Sequence, residues 1–157
     1  MSTSESTNHL KSGNFSVVLK NQKTIEFVVQ EVNLPGLNLG EIQVGHWTQN
    51  QNRPGDNITW STLSMTILCD EELAAFKEAF NHIMSLKDPY DGKIEIQNAI
   101  FDATLLITTN KNNVQHRVQF FDAWIQSIGD IQFTTTSSEE EQIVFTIELQ
   151  YDYYKFI

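Results

Sequence analysis

The stretch TQNQNRPGDNITW, Thr48 to Trp60, decides how this chain is read. Before it stands an alternating segment, Glu41-Ile42-Gln43-Val44, and after it a longer one ends in Met65-Thr66-Ile67-Leu68. Alternation with a period of two is the pattern of a strand with one covered face. Pro54-Gly55-Asp56 supplies turn chemistry in the polar middle: Pro presets a backbone angle, Gly admits unusual ones, and Asp can bond its own backbone. Together these segments predict a β-hairpin with a polar tip, longer than the turn itself requires. A small domain that holds such an arm out into water needs a reason for it.

Beyond the tip, Asn57 to Cys69 is the longest extended candidate, with Leu63, Met65, Ile67 and Cys69 in phase. At ~3.3 Å per residue it would reach about 43 Å. A compact chain of this size has a diameter of about 40 Å, so the hairpin should cross or overhang the whole domain. Asp70 then reads as a helix N-cap, followed by Glu71 and Glu72, whose charges suit the positive end of a helix. Leu73, Phe76, Phe80, Ile83 and Met84 recur at helical spacing up to Lys87, and Pro89 ends the segment. This aromatic stripe is expected to be core packed against a sheet.

The remainder reads as strands. Phe15 to Lys20 and Thr24 to Val29 flank the polar Asn21-Gln22-Lys23, a hairpin signal, and Leu34-Pro35-Gly36 ends that run. Ile100 to Thr108 and Val114 to Phe121 make a second hairpin. Ile131 to Thr135 and Ile143 to Tyr151 bracket an acidic loop that includes Glu139, Glu140 and Glu141. The expected fold is mainly β: an antiparallel sandwich or barrel of about eight strands with one flanking α-helix. Residues 1–13 read as a flexible, Ser/Thr-rich arm and 14–157 as one domain, which suits the length of 157 residues.

Composition excludes some functions. With 10 Lys and Arg against 20 Asp and Glu, the formal charge is −10, the wrong sign for a protein that grips nucleic acid by neutralising phosphates. A single cysteine, Cys69, allows no internal disulfide and suggests an intracellular chain. Met1 to Gly13 lacks the basic start and apolar core of a secretory signal, and no segment approaches the ~20 apolar residues of a membrane span, so no membrane insertion is expected.

Catalytic and metal chemistry find no constellation in the sequence. His9, His46, His82 and His116 are dispersed, and His82 falls in the last turns of the helix, where a cation is favoured. Cys69 keeps phase with buried strand residues, and Asp88-Pro89-Tyr90-Asp91-Gly92 has the composition of a turn. No enzyme, cofactor or metal is expected. The hairpin is the best functional candidate. Trp47 and Trp60 flank its tip, Arg53 and Asp56 bracket Pro54-Gly55, and large aromatics beside a polar projection are costly unless something covers them. Trp47, Arg53, Gly55, Asp56 and Trp60 are therefore the candidate contacts between subunits.

The run Pro54 to Glu72, PGDNITWSTLSMTILCDEE, followed by an amphipathic helix, resembles the central segment of the tail tube proteins of contractile-tailed bacteriophages. Val32-Asn33-Leu34-Pro35-Gly36 and Glu41-Ile42-Gln43-Val44-Gly45 stand where that family has its L-P turn and the strand after it. Trp124, Ile128-Gly129-Asp130-Ile131 and the segment Phe145 to Tyr153 resemble its C-terminal motifs, and the order of elements agrees from about Asn14 to Tyr153. The baseplate tube initiator and the tube protein of type VI secretion share the fold, and a protein like either of them is the alternative that the resemblance leaves open.

The resemblance implies a non-enzymatic structural subunit of the tail tube, forming hexameric rings stacked around a lumen that conducts genome DNA without specific binding. It implies tail sheath and baseplate proteins as further partners, and a virion component assembled in the host cytoplasm. Open strand edges close when subunits share a barrel, which would explain the projecting arm. A wall that repels phosphate suits such a lumen, and Glu41, Asp56 and Asp130 are its candidates. An alternative of another class is a monomeric ligand-binding β-barrel, for which about eight strands suffice.

Overall fold

The computed structural model describes residues 10–22, 25, 28–92, 100–109, 111, 113–136 and 141–157. Most of the flexible arm expected over residues 1–13, and residues 137–140 of the acidic loop, lie outside them. Among the described residues are nine strands: β1 (Phe15–Leu19), β2 (Val29–Val32), β3 (Leu37–Gly45), β4 (Asn50–Trp60), β5 (Leu63–Leu68), β6 (Phe101–Thr108), β7 (Val114–Ile128), β8 (Val144–Gln150) and β9 (Tyr153–Phe156). Helix α1 (Ala74–Leu86) lies between β5 and β6.

Seven strands form one antiparallel sheet in the order β1-β6-β7-β8-β5-β2, with β9 also paired to β7. The 15-residue β7 makes this possible. Its first part pairs with β6 and β9, and residues from Trp124 onward pair with β8. Between these parts Asp122 takes φ 53, a left-handed conformation that Asp tolerates better than most residues, and the register shifts there. The bend folds the sheet around one core, in which side chains from β1, β5, β6, β7, β8 and α1 meet.

Alternation explains the core directly. Leu63, Met65 and Ile67 of β5 stand opposite Leu149, Ile147 and Phe145 of β8, and all six are buried. Each such side chain contributes roughly 1.5–3 kcal/mol on burial, so these pairs are a large share of what holds the sheet. The mainly β, antiparallel fold with its flanking helix is as the sequence predicts, and so is the β6–β7 hairpin.

Four local expectations are corrected. The predicted first hairpin is not seen among the described residues, where β1 pairs with β6 and Val29, the end of its expected second strand, belongs to β2, which pairs with β5; residues 23, 24, 26 and 27 of it lie outside them. The single strand expected over Asn57 to Cys69 is broken at Ser61-Thr62, where the chain leaves one sheet for another. Ile131 to Thr135 forms no strand, since both neighbours of β8 are already supplied by β7 and β5.

The helix is the fourth. It starts at Ala74, later than expected, after Leu73 in the left-handed region (φ 54). Leu73 and not Asp70 is thus the N-cap, and Glu71 and Glu72 precede the first turn, though Asp70 Oδ1 accepts the Ala74 N–H at 2.9 Å. Its fully buried residues are Ala75, Ala79 and His82, while Phe76 and Ile83 pack at the margin and Phe80 is exposed. Alanines at the centre of the contact let the helix backbone lie close to the sheet. Phe76 reaches in from the side, edge-on to Phe145 with ring centroids 5.3 Å apart.

Candidate assembly surface

β3 and β4 form a two-stranded sheet of their own, apart from the main sheet. An isolated hairpin is marginal in water, and this one exposes nearly every residue on both of its faces. Its turn is not where the proline and glycine suggest. Gly45 pairs with Asn50, and the loop between them is His46-Trp47-Thr48-Gln49, closed by the His46 N–H donating to the Gln49 carbonyl at 3.1 Å. Trp47 sits at this tip and is 100% exposed.

Arg53, Pro54, Gly55 and Asp56 therefore lie within strand β4, a correction to the expected polar tip. Pro54 pairs with Glu41, and a proline is tolerated in a strand with a free edge because its missing N–H need serve no neighbour. Between the pairs Leu39–Ile58 and Glu41–Pro54 the register shifts, with β4 carrying extra residues opposite Gly40. There Gly55 lies so close to the partner strand that a Cβ would come within 2.5 Å of the Gly40 carbonyl oxygen and 2.7 Å of its carbon. Only glycine fits this crossing. The turn-like signal in the sequence marks a bulge, not a turn.

The exposed apolar side chains divide at that bulge. Paired residues share a face, so Leu37 (opposite Trp60) and Leu39 (opposite Ile58) line one face near the root. Ile42 and Val44, an odd number of residues further along β3, line the other face toward the tip. Leu37, Leu39, Ile42, Val44 and Ile58 are all exposed. The arm carries three formal charges, Glu41, Arg53 and Asp56, on a chain of net charge −10. It is thus an apolar, nearly neutral blade on an acidic body.

At the root the structure places Trp60 differently from the other contact candidates. It is partly buried within the chain's own aromatic cluster, 4.9 Å from the Tyr154 ring and 6.4 Å from that of Tyr151. Tyr151 Oη donates to the Ser61 carbonyl at 2.6 Å and Tyr154 Oη to the Pro35 carbonyl at 2.8 Å. The Ser61 N–H donates to the Gly36 carbonyl at 3.1 Å, closing the two legs. Burial, and Tyr154 second, push the Tyr151 phenol up to about 12, so it keeps its proton for this bond. The lumen candidates are not brought together on one element: Glu41 and Asp56 lie on the arm, while Asp130 follows β7. Gly129, before Asp130, donates its N–H to the Thr146 carbonyl, and a Cβ there would stand 3.2 Å from that oxygen.

One buried polar group escaped the sequence reading. His82 is buried, and its Nε2 accepts the Ile125 N–H at 3.3 Å, on the side of β7 that faces α1. Nδ1 therefore carries the ring proton. The Gln22 amide nitrogen stands 3.3 Å from Nδ1 and its oxygen is buried without a partner; turning the amide over puts the oxygen at Nδ1 as the acceptor. Burial lowers the His82 pKa, so the ring is a neutral hydrogen-bonded joint rather than the helix-end cation that its position in the sequence suggests. Among the described residues no group of His, Cys, Asp or Glu is arranged to hold a metal, and no helix is long and apolar enough to cross a membrane.

The mainly β fold with its one helix is shared with solved tube-terminator proteins of contractile injection systems. No family model matches the chain. It is 19% identical over 160 residues to the tail tube terminator protein of Enterobacteria phage T4, covering 94% of this chain and 89% of that one. It is also similar to the sheath/tube terminator of the extracellular contractile injection system PVC in its extended state: TM-score 0.73, 15% identity, 97% of this chain and 99% of the other. The cap that terminates the tube of the anti-feeding prophage gives a TM-score of 0.71 at 16% identity, covering 96% and 91%. By these descriptions all three are structural proteins and not enzymes.

Proposed function

We propose that this protein is a ring-forming subunit that terminates the tail tube of a contractile, phage-like particle. The observation that carries this reading is the end-to-end similarity to a phage tail tube terminator, 94% of this chain against 89% of the relative. The terminator structures of two contractile injection systems support it. The physical counterpart is the arm, whose apolar side chains Leu37, Leu39, Ile42, Val44 and Ile58 are exposed among the described residues. In the ring, six copies surround a lumen and each arm lies against a neighbouring copy, so that Trp47, Arg53, Gly55 and Asp56 fall at contacts between subunits. The ring seats on the last layer of tube and meets the sheath around it. Genome DNA passes through without being held, because an acidic wall repels phosphate.

Electron microscopy of the purified protein tests this reading, alone and mixed with a tail tube protein. Isolated rings that do not lengthen with concentration, and that decorate tube ends in the mixture, are the expected result. Tubes growing from the purified protein would reassign it as the repeated subunit. Small monomers at every concentration and salt would favour the ligand-binding barrel instead.

A further inference from the structure

We infer that Tyr151 and Tyr154 are positioning residues that aim the arm, and that strand β9 acts through Tyr154 as its latch. This rests on the reading of the arm as the element that meets neighbouring copies, but it concerns the free subunit.

The need for such a device follows from geometry. β3 has nine residues, so the arm is a cantilever of about 30 Å, and a swing of ~10° at its root would move the tip by ~5 Å. Side chains lose contact beyond about 4–4.5 Å, so a loosely hung arm would present Trp47, Ile42 and Val44 to a partner in many wrong places. Strand hydrogen bonds do not fix it, because the β3–β4 sheet is separate from the main one.

What does hold the root is a pair of phenols three residues apart. Tyr154 bonds the carbonyl of Pro35, just before β3, and Tyr151 bonds the carbonyl of Ser61, just after β4. Each leg has one hydroxyl, and Trp60 packs edge-on against both rings, which lie 6.0 Å from each other. The rings are themselves seated on the core: Phe120 lies 4.9 Å from Tyr151 and 5.2 Å from Tyr154. Tyr154 belongs to β9, which among the described residues pairs only with β7, Tyr154 standing opposite Phe120. Whatever lifts this four-residue edge strand withdraws a hydroxyl from one leg and a ring from Trp60. Arm direction and β9 docking are thus one event.

The test measures arm order directly. In a Cys69→Ser background, spin labels at Thr48→Cys on the tip and Lys77→Cys on the exposed side of α1 give a tip-to-body distance by pulsed electron resonance. The parent is expected to show one narrow distance. Tyr151→Phe with Tyr154→Phe keeps both rings and removes both hydroxyls, and it should lose the narrow peak. Phe145→Leu, a core change that lowers stability without touching the root, should retain it. A narrow peak in the phenol variant, or equal broadening in Phe145→Leu, overturns the inference. Should the double variant not fold, Tyr154→Phe alone decides the matter: faster amide exchange of Ser61 is expected, and unchanged protection refutes the latch. These readings need no ring, so a protein that never assembles would sink the proposed function and still leave the latch tested.

Discussion

Ile42 and Ile147 belong to strands of similar alternation, yet Ile147 is fully buried and Ile42 is 46% exposed. Ile147 has Met65 opposite it and a helix-covered core beneath, whereas Ile42 faces Arg53 across a ribbon that has water on both sides. Strand pattern reports that an apolar face will be covered, but not by which molecule. In the body the cover comes from the same chain, and in the arm the described residues supply little. The comparison separates two kinds of residue that composition cannot tell apart: those that hold the subunit together and those left exposed on its arm.

The sharpest way to break that comparison is to remove the arm. Since Leu39 pairs with Ile58, replacing residues 40–57 by Asn-Gly leaves a two-residue hairpin at a natural register. Assembly should vanish under the microscope, while the urea midpoint of the body stays near the parent's. Ile147→Ala should do the reverse, costing about 2–5 kcal/mol of unfolding free energy. If arm excision unfolded the body, the division would be wrong.

Gly55→Val is a subtler break, expected to cost the arm about 1–3 kcal/mol through overpacking against the Gly40 backbone. Amide exchange should quicken along β3 and β4, with β5 and β8 still protected. Protection that falls equally in β5 and β8 would mean the arm and body unfold as one.

The body has its own sensitive joint at His82. Its folded pKa is depressed by burial, so in acid the unfolded chain binds the extra proton first. The stability due to neutral His82 is therefore fully present above the unfolded value of about 6.5 and is lost as pH falls below it. Denaturant unfolding across pH 5–8, with His82→Gln as control, should show a decline on the acid side that is weaker in the variant. Equal profiles would show that His82 contributes nothing to it.

These contrasts also mark what was legible in the sequence. Period-two alternation picked out β5, β8 and the β6–β7 hairpin, because there a neighbouring strand of the same chain covers the apolar residues. Alternation could not pair β1 with β6, since pairing is decided by contacts far apart in the chain. Pro54-Gly55 spoke for a turn because local chemistry cannot distinguish a turn from a bulge. The partners of Ser61 and Pro35, two tyrosines about ninety or more residues away, left no local signal at all. His82 looked like an exposed cation because helical spacing alone did not show that Ala75 and Ala79 set the buried face.

The smallest expected effect sharpens the comparison in electrostatic terms. A chain at −10 resists packing copies side by side, yet the arm has only Glu41, Arg53 and Asp56. If copies meet through the arm, attraction at the contact is mainly apolar and repulsion comes from the surrounding body. Salt shortens the screening length from about 8 Å at physiological strength to about 3 Å near 1 M, which weakens the repulsion and leaves apolar contacts intact. Light scattering or sedimentation should therefore find assembly modestly promoted by added salt. Arg53→Gln should shift it only slightly, because an exposed ion pair is worth about 0–1 kcal/mol. The assembled form should show no measurable affinity for duplex DNA at physiological salt, where a basic binder would hold it. Disassembly on adding salt would mean that ion pairs outside the arm dominate the contact, and the apolar blade would then no longer explain assembly.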